Sequence, residues 1–175
     1  MRYPAEETAR KHKLLIEKAS EMFRERGFEN VSVAEVMKAA GLTHGAFYSH
    51  FGSKTELMIA ATEQALEKTR TRVEQNFATK ENRKKSIERY LGVKHCRDIA
   101  GGCAMAALAG ELRKEPELQG MFARKLEAII GATGETRDQA VVTLSTMVGA
   151  LSLARAVGEG PLSAEILERV RKQMG

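Results

Sequence analysis

Residues 32–56 read SVAEVMKAAGLTHGAFYSHFGSKTE, and this stretch decides the fold. Ser32 followed by Glu35 three residues on makes a capping box, in which each side chain serves a backbone N–H of the other, and it marks a helix start. Val33, Val36 and Ala40 give that helix an apolar face. Gly41 falls where the chain must turn sharply, with the positive φ that glycine reaches without a Cβ clash. Thr43 is placed to cap a second helix over about residues 44–50, and Ser53 with Glu56 repeats the box for a third. Three helix starts this close together predict compact helical packing. In a trihelical unit of this kind, a second helix with its polar side exposed is the element that enters a DNA major groove.

Outward from this stretch, helical periodicity recurs and strand-like alternation is almost absent, so the fold class is all-α with about nine helices. A first helix is expected from about Glu6 to Arg26, with Leu15, Ile16, Ala19, Met22 and Phe23 on one side. A long helix runs from about Lys54 into the 70s and bridges two domains, 1–54 and 55–175. Helices follow from about Asn82 to Leu91, over CAMAALAGELRK, from Pro116 to about Ile130, from Gln139 to Val157 and from Leu162 to Gln173. GVKHCRDIAGG and GATGETRD read as breaks.

The chain has 175 residues and 43% hydrophobic content, enough for a real core and one or two small domains. The net charge of +5 favours an anionic partner, but its distribution is uneven. Residues 1–70 carry 11 Lys and Arg against 10 acids, and residues 71–100 carry 8 against 4. The basic cluster of Lys80, Arg83, Lys84, Lys85, Arg89, Lys94 and Arg97 reads as a solvated helix face. Leu42 to Lys54 holds no acid, two histidines and one lysine, as a surface laid against phosphates requires. MRYPAEETARKHKLL is charged and lacks the apolar core of a signal peptide, and no apolar run reaches the ~18 residues of a membrane span, so a soluble cytoplasmic chain is expected.

The run ASEMFRERGFENVSVAEVMKAAGLTHGAFYSHFGSKTELM resembles the DNA-binding domain of the TetR family of bacterial transcription regulators over about residues 10–60. The matching elements are the first helix ending in Phe23 and Gly27, then Phe28, the helix-turn-helix, and a Phe-x-x-Lys entry to the next helix. Met37 departs from the alanine frequent in the family, and its flexible side chain predicts local repacking. Further on, YLGVKHCRDIAGGCAMAALAGEL, STMVGALSLARAV and LSAEIL are similar to the ligand-binding domain of one TetR subgroup, a weaker match. The resemblance implies a homodimeric regulator, expected to be a repressor, that binds a pseudo-palindromic operator and is released by a small-molecule effector. Its dimer interface would be a four-helix one, here about 138–157 and 162–173, where Gly149, Ala150, Ser152 and Ala154 permit close helix approach.

Specific residues follow. Thr43, His44 and Gly45 open the second helix, whose first turn points at base edges. His44 can donate to guanine N7 or O6, and the Thr43 methyl can meet the methyl of thymine. Gly45 costs about 1 kcal/mol of helix propensity against alanine; either close approach to DNA or packing room explains it. Phe47 and Phe51, four apart, are core. By the resemblance, Tyr48 contacts a phosphate through its hydroxyl and His50 lies near the DNA backbone. Lys54, at a helix start, can bind a phosphate, and Ser32 and Thr43 can do so as well as cap.

Tyr90, Met105, Leu108, Met121, Phe122, Leu126 and Met147 are candidates for an effector cavity, or equally ordinary core. Cys96 and Cys103 match no zinc spacing, so no metal or cofactor is expected. Cys103, after two glycines, is a candidate redox residue, with a small buried side chain as the simpler reading. There is no P-loop, nucleophile elbow or His-Glu-x-x-His, so an enzyme is not expected. A rival reading is a small-molecule binding or sequestering protein whose helix-turn-helix has lost DNA affinity.

Overall fold

A computed structural model describes residues 5–174, and the side chains of 6–174. The first residues of the predicted N-terminal domain, and of the segment judged against a signal peptide, lie outside this range. The described chain is helical, with no strand among the described residues: α1 (Ala5–Arg26), α2 (Val33–Ala39), a short 3-10 helix (His44–Ser49), α3 (Lys54–Asn76), α4 (Lys80–Tyr90), α5 (Val93–Arg97), α6 (Ala104–Leu112), α7 (Pro116–Ala132), α8 (Arg137–Ala156) and α9 (Pro161–Met174).

Local chemistry sets these boundaries. Ser32 Oγ accepts from Glu35 N at 3.2 Å while Ser32 N donates to Glu35 Oε2 at 2.9 Å, which closes the capping box. The Ser32 hydroxyl donating to Glu35 Oε2 at 2.7 Å, then the bond from Ser32 N, then Arg26 alongside at 2.7 Å, pull the Glu35 carboxyl down to about 2. The second box closes differently. Glu56 N donates to Ser53 Oγ at 3.1 Å, but the Glu56 carboxylate accepts from Gly52 N, one residue further back. Gly27, Gly41, Gly134 and Gly158 have positive φ and end or follow helices.

Two corrections concern the turn unit. The second helix is a 3-10 helix and not an α-helix. Six residues containing Gly45 have little to gain from i+4 bonding, and Ala46 N to Thr43 O and His50 N to Phe47 O close i+3 turns at 3.0 and 2.8 Å. Thr43 stands at the N-cap without a side-chain cap bond, so its hydroxyl is uncommitted to the helix. Elsewhere, the GVKHCRDIAGG break contains the short helix α5.

The main core runs from Leu15, Phe23 and Phe28 through Val36, Met37 and Phe47 to Leu57, Leu66, Leu108, Met121 and Ile129. Met37 is fully buried, so its extra length fills the α2 contact. Helix α3 crosses the whole molecule, packing on α1 and on α7, and Lys125 of α7 ties to its Glu63 and Glu67 at 3.1 and 3.2 Å. A second cluster of Phe77, Ile87, Leu91, Met147, Ala150, Ala154 and Leu167 joins α4, α8 and α9.

Helix α8 corrects one expectation: by length and composition it is apolar enough to cross a membrane. It buries Ala140, Leu144, Met147, Ala150, Leu151 and Ala154 against its neighbours, which is what a core helix does with such a sequence. Among the described residues, five of the seven large hydrophobics that stay exposed, Val141, Val142, Leu153, Val157 and Leu162, lie on or just beyond α8 and α9.

Candidate nucleic-acid interface and ligand cavity

The turn between α2 and the 3-10 helix presents a short polar ridge. Phe47 and Phe51 point into the core and anchor the segment, with their rings 6.1 Å apart. That anchoring turns Thr43, His44, Gly45 and Tyr48 outward, all exposed, with Tyr48 at 72%. A phenol so exposed, braced edge-on against Phe47 at 5.4 Å, costs apolar hydration and gains only if something covers it. An alanine Cβ at Gly45 would meet nothing within 4 Å. Packing room within the chain therefore does not explain this glycine.

His50 is set back from the ridge. Its Nδ1 lies 3.4 Å from His12 Nδ1, and His12 stacks between it and Phe51, with ring centroids 5.5 and 4.9 Å away. Burial pushes the His50 pKa below the ordinary histidine value, and the neighbouring His12 and Lys11 push the same way. Thirty-eight residues separate the two histidines, so no local pattern could have paired them. Lys54 Nζ donates to Phe28 O at 2.6 Å, tying the start of α3 to the loop after α1. An ammonium carries three donors, so this tether leaves two for an outside oxygen. The Ser32 hydroxyl is committed to its cap.

A cavity of about 660 Å³ opens between the C-terminal half of α3, α4, the α5–α6 segment and α8. Of the residues predicted for an effector cavity, Tyr90, Met105 and Met147 line it. Leu108 and Met121 belong to the main core instead, with Phe122 and Leu126 packed against it. Sequence reasoning missed Phe77, Leu144 and Val148 on the apolar side and Arg72, Arg89, Lys94, His95 and Asp98 on the polar side.

The basic cluster at 80–97 therefore divides. Arg89 and Lys94 face the cavity. Arg83 pairs with Glu135 at 2.6 Å and lies over the Phe77 ring, and Lys85 and Arg97 pair with Glu81 and Glu159. Lys80 and Lys84 are exposed, as a solvated face predicts.

His95 Nδ1 lies 2.7 Å from Tyr90 O, and burial lowers its pKa against that hydrogen bond. Tyr90 is pushed far above the usual phenol value, first by burial and then by Cys103. Arg155 holds the α5–α6 segment by donating to the carbonyls of His95, Cys96 and Asp98 at 3.0–3.1 Å. Cys103 is buried at the start of α6 on the cavity wall, and Cys96 is half-buried. That burial favours a packing role for Cys103 over a redox one. Among the described residues no three His, Cys, Asp or Glu side chains gather as a metal site would require.

The family profile described as bacterial regulatory proteins, tetR family, matches residues 15–61. The chain is 38% identical over 63 residues to the uncharacterized HTH-type transcriptional regulator YuxN of Bacillus subtilis, which is 36% of this chain and 22% of that relative. It is 40% identical over 52 residues to the TetC protein of transposon Tn10 from Escherichia coli, 30% of this chain and 26% of the relative. The matched stretch is thus about a quarter of the length of these two relatives, and the family profile's residues 15–61 take in the polar ridge. Two solved structures share the fold over nearly the whole chain. A TetR transcriptional regulator from Chloroflexus aurantiacus aligns with TM-score 0.76 at 21% identity, over 97% of this chain and 94% of that one. The reduced form of NemR from Escherichia coli aligns with TM-score 0.77 at 19% identity, over 94% and 95%.

Proposed function

We propose, from the premise that this chain belongs to the TetR family of bacterial regulatory proteins, that it is a non-enzymatic DNA-binding transcription regulator. The observation that carries this reading is the ridge of Thr43, His44, Gly45 and Tyr48, turned outward by the buried Phe47 and Phe51 on a stretch without acids. His44 and Thr43 read base edges, Tyr48 and Lys54 hold phosphates, Gly45 lets the backbone come close, and Ser32 and His50 border the contact.

Residues 1–54 are the reading domain and 55–175 the effector and dimerisation domain. A homodimer forms through α8 and α9, about 138–157 and 162–173, whose exposed Val142, Leu153 and Leu162 supply apolar surface for a second copy. Two copies read a pseudo-palindrome, with half-sites set by the spacing of the two ridges. A small molecule in the cavity favours a conformation with the wrong spacing, so effector and DNA weaken each other's binding by the same factor. Release by the effector makes the protein a repressor, acting in the cytoplasm.

The test is a pair of variants assayed on a selected duplex and on random duplexes. Tyr48→Phe removes a phosphate donor and lowers affinity for every sequence alike. His44→Ala changes the order of preferred sequences, at about 1–3 kcal/mol for a lost base contact. Normal binding and preference in both variants would overturn the docking.

A further inference from the structure

The cavity between α3, α4, α5 and α8 has two unlike ends. Its buried part is apolar: Phe77, Met105, Leu144 and Met147 are all buried. Its mouth carries Arg72, Arg89 and Lys94, all exposed and drawn from three different helices. Among the described residues, most cations are paired with a carboxylate or bound to a carbonyl, but no side-chain partner holds any of these three.

Among the described residues Asp98 is the one carboxylate on the lining, and its Oδ1 accepts from Gly101 N at 2.8 Å. His95 adds little positive charge, because burial lowers its pKa below the ordinary histidine value. Three positive charges against one negative around a low-dielectric opening make a field that favours an anion at the mouth. Deeper in, the Tyr90 hydroxyl is buried, and among the described residues its one hydrogen-bonding neighbour is the Cys103 thiol, a weak partner. An acceptor on a ligand would satisfy it.

We propose that the cavity selects an amphipathic carboxylate, with its anionic head among Arg72, Arg89 and Lys94 and its apolar body against Phe77, Met105, Leu144 and Met147. The inference rests on the reading of this cavity as the effector site. A volume of about 660 Å³ suits a drug-sized molecule, larger than acetate and smaller than a whole lipid. Bases and neutral polar molecules are disfavoured, the first by the rim and the second by the floor.

The test is isothermal titration of the full chain at physiological salt with octanoate and 1-naphthoate, each beside its neutral amide. At least one acid should bind at least tenfold tighter than its amide. The double variant Arg89→Gln with Lys94→Gln, at two exposed positions, should erase that preference while the melting temperature stays unchanged. Tyr90→Phe should weaken both members of a pair.

Acids binding no tighter than amides, or no binding of any of the four, would overturn the inference. Anisotropy on DNA with the same preparation keeps the two readings separate. Selective DNA binding without carboxylate preference would defeat the ligand class alone. Carboxylate preference without DNA binding would defeat the regulator and leave the carboxylate site standing.

Discussion

Gly45→Ala separates folding from recognition at a single atom. The added Cβ would meet nothing within 4 Å, and Gly45 is not among the positive-φ residues. Alanine at such a position loses less backbone entropy on folding and stabilises by about 0.4–1 kcal/mol. In a domain of this size, 1 kcal/mol moves Tm by roughly 2–4 °C, so Tm should rise by about 1–4 °C. The free protein is therefore a little better folded. In the proposed docking the same methyl projects from the outward face of the 3-10 helix, toward the DNA backbone. Loss of one buried polar contact costs about 1–3 kcal/mol, which is roughly 5- to 150-fold in affinity. Differential scanning calorimetry and fluorescence anisotropy on one preparation read both signs. A fall in Tm would refute the geometry of the helix, and unchanged DNA affinity would refute its placement against DNA.

Three other perturbations probe the rest of the account. Met37→Ala empties a fully buried position at the α2 contact and should cost about 2–5 kcal/mol; chemical denaturation that finds under 1 kcal/mol would mean that α2 closes onto the gap. Leu153→Asp, at an exposed apolar position on α8, should turn a dimer into a monomer in analytical ultracentrifugation without lowering helicity; a dimer that persists would move the interface elsewhere. His50 and His95 both have pKa values below the ordinary 6.5, so below pH 6.5 the unfolded chain binds protons that the folded one refuses. Stability is full above about 6.5 and is lost as pH falls toward the folded values; Tm at pH 7.5 should exceed Tm at pH 5.5, with the gap reduced in the double variant His50→Gln with His95→Gln, and a Tm that rises on acidification would contradict the burial of both rings.

What could be read from sequence was what is local. The Ser32–Glu35 box, the Gly41 turn and the Phe47–Phe51 anchor depend on residues three to four apart, and each sits where the pattern put it. The 3-10 form of the second helix was not legible, because six residues containing a glycine carry no signal that separates i+3 from i+4 bonding. Contacts made across the fold were invisible. His12 meets His50 across thirty-eight residues, and Lys54 reaches back twenty-six to Phe28.

The cavity shows the same limit more plainly. Apolar residues on α6 and α7 looked alike in sequence. Only the packing of α3 against α7 decides that Leu108, Met121, Phe122 and Leu126 fill core while Tyr90, Met105 and Met147 border space. Arg72, Arg89 and Lys94 come from three helices and converge only in the folded chain. A charge run along the sequence could not show which of its members share a mouth and which are tied off, as Arg83 is by Glu135.

The proposed function stands or falls on whether the ridge at Thr43–Tyr48 reads DNA. Its most direct test is fluorescence anisotropy with the duplex upstream of the protein's own gene against a scrambled duplex, at 50 and about 200 mM salt. Tight binding to the first is expected, weaker by about 10³-fold or more on the second, with affinity falling steeply as salt displaces the protein from phosphates. Weak binding that is indifferent to sequence, there and across a random duplex library, would contradict it and leave a helical ligand-binding protein with an idle helix-turn-helix.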